Sequence, residues 1–221
     1  MGKRALTAAL ATVAVAALAA TLATVAAGPA SAGHGGHPPF RAKIERIGPE
    51  LAEEMMDVSW RPGCPVPIED LRLISMNHRG FDGRSHDGEL MVHEDVARDV
   101  VKVFRHMYNH KFPIRRMERI EHYGGDDNAS MDADNTSSFN CRQKTGGGGY
   151  SVHSYGKAID INTIENPYID GDLVLPEAGK EFLDRDDVRP GMIVDGGRVV
   201  RAFARRGFEW GGYWDSPIDY Q

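Results

Sequence analysis

The chain has 221 residues, 41% of them hydrophobic and 26% charged, with 25 Gly, 12 Pro and 2 Cys. Those proportions exclude collagen-like, low-complexity and disordered classes, and two cysteines are too few for a disulfide-built scaffold or a cysteine-rich zinc module. A formal net charge of −6 gives no reason to expect a nucleic acid as partner.

In chain order, Lys3 and Arg4 precede an uncharged run rich in Ala, Leu and Val from Ala5 to Ala27, which breaks at Gly28-Pro29 and reaches Ala30-Ser31-Ala32. This pattern predicts a signal peptide over residues 1–32, cut at a small-residue site so that Gly33 begins the mature chain. The other reading is a membrane anchor, since the run is long enough to span. Alanine is a weak membrane former and the cleavage site follows directly, so export is favoured. The expected location is secreted, extracellular or cell-wall, with no stable membrane insertion after cleavage. Loss of Lys3 and Arg4 leaves 24 basic against 32 acidic residues, a net charge of −8. Residues 33–40, with His34 and His37, read as a flexible leader, and residues 41–221 as one domain without internal repeats.

Within that domain, Pro49 to Met56 predicts a short helix with proline in its first turn. Leu71 to Met76 and Gly88 to His93 predict strands. Glu94 to Tyr108 is the clearest helix, because Val96, Val100, Phe104 and Met107 or Tyr108 recur at helical spacing. Ile114 to Tyr123 reads as an alternating strand, Gly124 to Asn135 as a solvated acidic loop, and Ala158 to Asn162 as a short strand. The acids Asp126, Asp127, Asp132 and Asp134 lack the spacing of an EF-hand calcium loop. Gly146 to Gly149 is no phosphate cradle, since no Lys-Ser/Thr follows, and reads as a lid at a cleft mouth. Arg198 to Arg206 predicts a helix ended by Gly207. Strands and helices mix without a βαβ rhythm, so the expected class is α+β: an antiparallel sheet flanked by helices.

The chemistry concentrates in Ser151-Val152-His153-Ser154-Tyr155-Gly156-Lys157-Ala158-Ile159-Asp160-Ile161-Asn162. A neutral imidazole and a carboxylate are ligands that a catalytic zinc site accepts. Gly156 between them permits a turn that brings His153 back over the strand. By itself, a His and an Asp seven apart also fits a hydrogen-bonded pair at a strand end. Cys64 and Cys141, in a chain with an export signal, are either a disulfide or two buried thiols.

The run Ser-x-His-x-x-Gly-x-Ala-x-Asp resembles the signature of the zinc D-alanyl-D-alanine carboxypeptidase and L-alanyl-D-glutamate endopeptidase family (peptidase family M15), which includes phage endolysins. Further blocks look like the family's in family order: Trp60 to Pro67, Phe112-Pro113-Ile114, Asn135 to Arg142, Asn166-Pro167-Tyr168 and Gly207 to Trp214. The resemblance covers roughly residues 55–221 and implies a Hedgehog/DD-peptidase-like fold. It implies that His153 and Asp160 are the first two zinc ligands and that Asp219 is the general base. It places Arg142 at the substrate and its developing oxyanion, with Ser151 as a further substrate contact. The family's third ligand, a histidine, is expected immediately after Gln221, where this chain stops, so the domain reads as truncated. Of the other histidines, His122 is the one candidate stand-in, while His106 and His110, four apart on the predicted helix, read as a solvent-facing or hydrogen-bonded pair. The implied function is hydrolysis of peptidoglycan stem peptides with Zn2+, as a D-Ala-D-Ala carboxypeptidase or an L-Ala-D-Glu endopeptidase. The rival from another class is a non-catalytic wall-binding module on the same fold.

Overall fold

The computed structural model describes Gly2, residues 38–144 and residues 147–221; His34, His37 and the expected signal peptide (Gly2 apart) lie outside the described residues. Among the described residues, no helix is long and apolar enough to cross a membrane.

Strand β1 (Ala42–Arg46) leads into helix α1 (Pro49–Met55), which starts on Pro49 as expected. Strands β2 (Leu71–Arg79) and β3 (Ser85–His93) follow, and the three strands form an antiparallel sheet in the order β1-β2-β3. Helix α2 (Glu94–Asn109) begins at once after β3, its first turn capped by His93 Nδ1, which accepts from the Asp95 amide at 3.1 Å. Strand β4 (Arg116–Met117), helix α3 (Asp127–Asp132) and strand β5 (Asn135–Thr136) come next, and β4 pairs with β5 in parallel. A second antiparallel sheet contains β6 (Tyr168–Asp170), β7 (Leu173–Leu175) and, after helix α4 (Arg198–Ala204), β8 (Ile218–Asp219), in the order β7-β6-β8. The class is α+β, with two separate antiparallel sheets and one parallel pair among the described residues where a single sheet was expected.

Sheet β1-β2-β3 has a core on each face. Ile74, Met76, Leu90 and Val92 pack with Val100, Val103, Phe104 and Met107 of α2, with Val199 and Val200 of α4, and with Ile161. On the other face Leu71 and Met91 pack with Met55, Val66, Phe139 and Cys141. Each such side chain contributes roughly 1.5–3 kcal/mol on burial. Ile161 belongs to one core and Phe139 and Cys141 to the other, so the chain around the candidate site is anchored to both faces of one sheet. Cys141 is also bonded to Cys64 in a disulfide, with Cα atoms 6.0 Å apart.

Three expected elements differ. Over Ile114–Tyr123, Ile114, Met117 and Ile120 are the buried positions. That spacing of three suits one short strand followed by the 3-10 turn Ile120–Tyr123, and the predicted continuous strand does not form. The acidic stretch 124–135 is structured: Asp126 caps α3 by accepting from the Asn128 and Ala129 amides at 2.9 and 3.1 Å. Ala158–Asn162 is not a strand beyond one antiparallel bridge, Ser137 to Asp160. Asp160, Ile161 and Asn162 are buried in succession, and Asn162 sits at φ 48°, so alternation fails there.

Asp134 and Glu165 are both buried and both face Arg115, at 3.2 and 3.6 Å. Burial, and then the neighbouring Asp134 carboxylate, pushes the Glu165 carboxyl up to about 8. An acid with a raised folded-state pKa adds stability at low pH, and that stability is lost as pH rises through the folded value. Thermal melts should therefore show the protein losing stability between pH 5 and pH 9. Glu165→Gln, which keeps the neutral shape, should make that loss shallower; an equal slope in the variant would show that Glu165 does not contribute to it.

Candidate active site

The segment from Ser137 to Asp160 folds back on itself. Ser137 and Asp160 exchange backbone bonds at 3.0 and 2.9 Å, the Asn140 amide donates to the His153 carbonyl at 3.3 Å, and the Ser151 amide donates to the Arg142 carbonyl at 2.9 Å. The Lys144 amide closes the turn on the Gly149 carbonyl at 2.9 Å. Between the rungs at Asn140–His153 and Ser137–Asp160 the outgoing strand advances three residues and the returning one seven. The 3-10 turn Val152–Tyr155 and Gly156 absorb the excess. Gly156 has φ 63° and its carbonyl accepts from the His93 amide at 2.8 Å; a Cβ there would lie 2.7 Å from that nitrogen. Glycine is thus required by both conformation and space.

This looping brings His153 Nε2 to 3.2 Å from Asp160 Oδ1, while His153 Nδ1 donates to the Ser138 carbonyl at 2.7 Å. The carbonyl fixes the tautomer, so Nε2 is the nitrogen left to face the carboxylate, as in metal-ligating histidines. Burial alone would lower the His153 pKa, but the Asp160 carboxylate outweighs it and pushes it up to about 9. The pair therefore favours a positive charge between Nε2 and Oδ1. Two donors at any two corners of a zinc tetrahedron with bonds of about 2.0–2.2 Å are separated by roughly 3.4 Å, close to this spacing. These two groups suit a metal ion in chemistry and separation, although no cluster of three or more His, Cys, Asp or Glu exists among the described residues.

Around the pair, two lobes form one cleft. Arg142, Lys144, Ser151, Asp127 and Tyr168 line a lobe of about 510 Å³, and Ile159, Val199, Phe203, Phe208 and Trp210 line an apolar one of about 280 Å³. His153, Asp160, Trp214, Asp219 and Gln221 line both. Asp219 sits on β8, and its Oδ1 accepts from the Gln221 amide at 3.1 Å. Burial, then the Asp160 charge, raises its carboxyl to about 7. Ser151 lines the polar lobe, but its Oγ accepts from the His153 amide at 3.3 Å as the cap of the 3-10 turn.

The sequence-predicted residues His153, Asp160, Arg142, Asp219 and Ser151 thus share one cleft, and Gln221 ends beside them. His122 does not join them. It lines a separate cavity of about 570 Å³ with Arg41, Lys43, Glu89 and Glu118, which rules it out as a stand-in ligand in this conformation. His106 and His110 form the expected pair, with His110 Nδ1 2.8 Å from the His106 carbonyl oxygen. Sequence reasoning missed Ser154, whose Oγ donates to the Arg142 carbonyl at 2.9 Å and accepts from the Arg142 amide at 3.1 Å. It also missed Asp127, 2.6 Å from Arg142 Nη2.

Residues 145–221 match the family described as D-alanyl-D-alanine carboxypeptidase among the M15 peptidases. That match supports placing the segment with the M15 peptidases. The M15 match takes in His153, Asp160 and Asp219, while Arg142 and the upstream blocks fall outside it. Comparison with curated proteins and with solved structures gave no match.

Proposed function

We propose that the protein is a secreted, zinc-dependent peptidase that hydrolyses peptidoglycan stem peptides, of the D-Ala-D-Ala carboxypeptidase type and with a DD-peptidase-like fold. The observation that carries this reading is the His153–Asp160 pair at 3.2 Å, with Nδ1 committed to the Ser138 carbonyl. It is supported by the M15 match over the same residues. His153 and Asp160 would hold the metal. Zinc bound there supplies a Lewis acid for the scissile carbonyl and a water whose pKa falls towards about 7.

The chain's own residues do the rest. Asp219, with its carboxyl near neutrality, takes a proton from the attacking water and returns it to the leaving amine. Arg142 presents a permanent guanidinium from the polar lobe to the oxygen that becomes negative, an interaction that strengthens in the transition state. The apolar lobe walled by Ile159, Val199, Phe203, Phe208 and Trp210 keeps one side of the cleft poor in polar groups. Export is supported by the Ala5–Ala27 run and by the Cys64–Cys141 bond, which persists in oxidising compartments.

The test is mass spectrometry of synthetic stem pentapeptide after incubation with zinc-loaded protein. Release of the terminal D-alanine is expected. Cleavage at L-Ala-D-Glu would reassign the bond, and intact peptide with a filled metal site would favour a non-catalytic module.

A further inference from the structure

The backbone of Arg142 is fixed on both sides, by Ser151 and Ser154, but its side chain has several rotatable bonds and shares a cavity with Asp160, Asp170 and Asp219 as well as Asp127. Left alone, a guanidinium in such a cavity would be free to settle on Asp160 or Asp219 and block it. It does not. Nη2 lies 2.6 Å from Asp127 Oδ2, Nη1 donates to the Gln143 carbonyl at 3.3 Å, and Nε is buried with no acceptor among the described residues. Asp127 is the first residue of α3, yet the capping of that helix is done by Asp126, so the Asp127 carboxylate is left for Arg142. Both side chains are about three-quarters buried, which separates this pair from the solvent-screened ion pairs of the surface.

We propose that Asp127 is a positioning residue. It holds the Arg142 guanidinium on the wall of the polar lobe, clear of Asp160 and Asp219, with hydrogen-bonding capacity left for an oxygen of the substrate. The substrate half of this inference rests on the peptidase reading; the placement of Arg142 does not.

The experiment has an arm for each half. In 15N-labelled protein, the Arg142 Nε–Hε signal, assigned by its loss in Arg142→Lys, should show the heteronuclear NOE of an ordered group. Asp127→Asn, close in shape, should lower it to that of exposed arginines, and Asp127→Glu should restore part of it. Asp132→Asn, an exposed acid on the same helix, should leave it alone. In hydrolysis, Asp127→Asn should cut kcat/KM about 10- to 100-fold, as expected of a misplaced catalytic group, with zinc affinity unchanged. Added to Arg142→Ala it should cost little more. An unchanged Arg142 signal in Asp127→Asn, or losses that multiply in full in the double variant, would overturn the proposal. If wild-type protein cuts no stem peptide, the peptidase reading falls, and the NMR arm still decides what Asp127 does.

Discussion

His153→Ala should cost the protein more than about a hundredfold in zinc affinity and abolish peptide hydrolysis. The figure exceeds the 10- to 100-fold typical for partners that only orient a ligand, because the nitrogen proposed to bind the metal is itself removed. Two further effects come with it. The Ser138 carbonyl loses its 2.7 Å donor, and the buried Asp160 carboxylate loses the imidazolium that faces it. Both groups are then left short of a partner, so the metal-free variant should also melt several degrees lower. Competition against a chromophoric chelator reads the affinity directly, and no free thiol competes for the metal, since both cysteines are in the disulfide. A variant that holds zinc as tightly as the wild type would show that the ion binds elsewhere and remove the foundation of the proposed function.

Removing the disulfide should cost about 4.5 kcal/mol. The bond closes a loop with a sequence separation of 77, and the chain-entropy model assigns roughly that much to a loop of this size. Cys141 also adjoins Arg142 and is buried in the second core with Leu71 and Met91. The loss should therefore appear both in urea midpoints of Cys64→Ser/Cys141→Ser and in a weakened cleft. A double variant within 1 kcal/mol of the wild type would mean that the reduced, unfolded chain is already constrained.

Helix α2 was legible because one stripe of its surface meets the sheet, and Val100, Phe104 and Met107 repeat at that period. Strand β2 was legible only as far as Met76. Its last residues, Asn77 and His78, are polar yet buried, and Asn77 is satisfied by the Arg41 amide, Ser85 Oγ and the Pro39 carbonyl. Nothing in a hydrophobic pattern announces polar burial of that kind. The site followed the same division. His153, Gly156 and Asp160 stood out together because their spacing is local. Asp219 lies on a two-residue strand paired with Tyr168, and Asp127 lies 15 residues before Arg142, so tertiary folding alone puts them in the cleft. Asp219 was reachable through the family resemblance; Asp127 had no sequence signal beyond a run of acids that also suits a solvated loop.

The doubled-back segment from Ser137 to Asp160 has a consequence for motion. Arg142 and His153 occupy facing arms of it, joined by the same few amide-to-carbonyl rungs, and Asp160 closes its base against Ser137. A local opening that breaks those rungs releases all three side chains together. That wall of the cleft is therefore intact or dismantled as one cooperative unit, and whatever clamps its base also slows amide exchange at its far end.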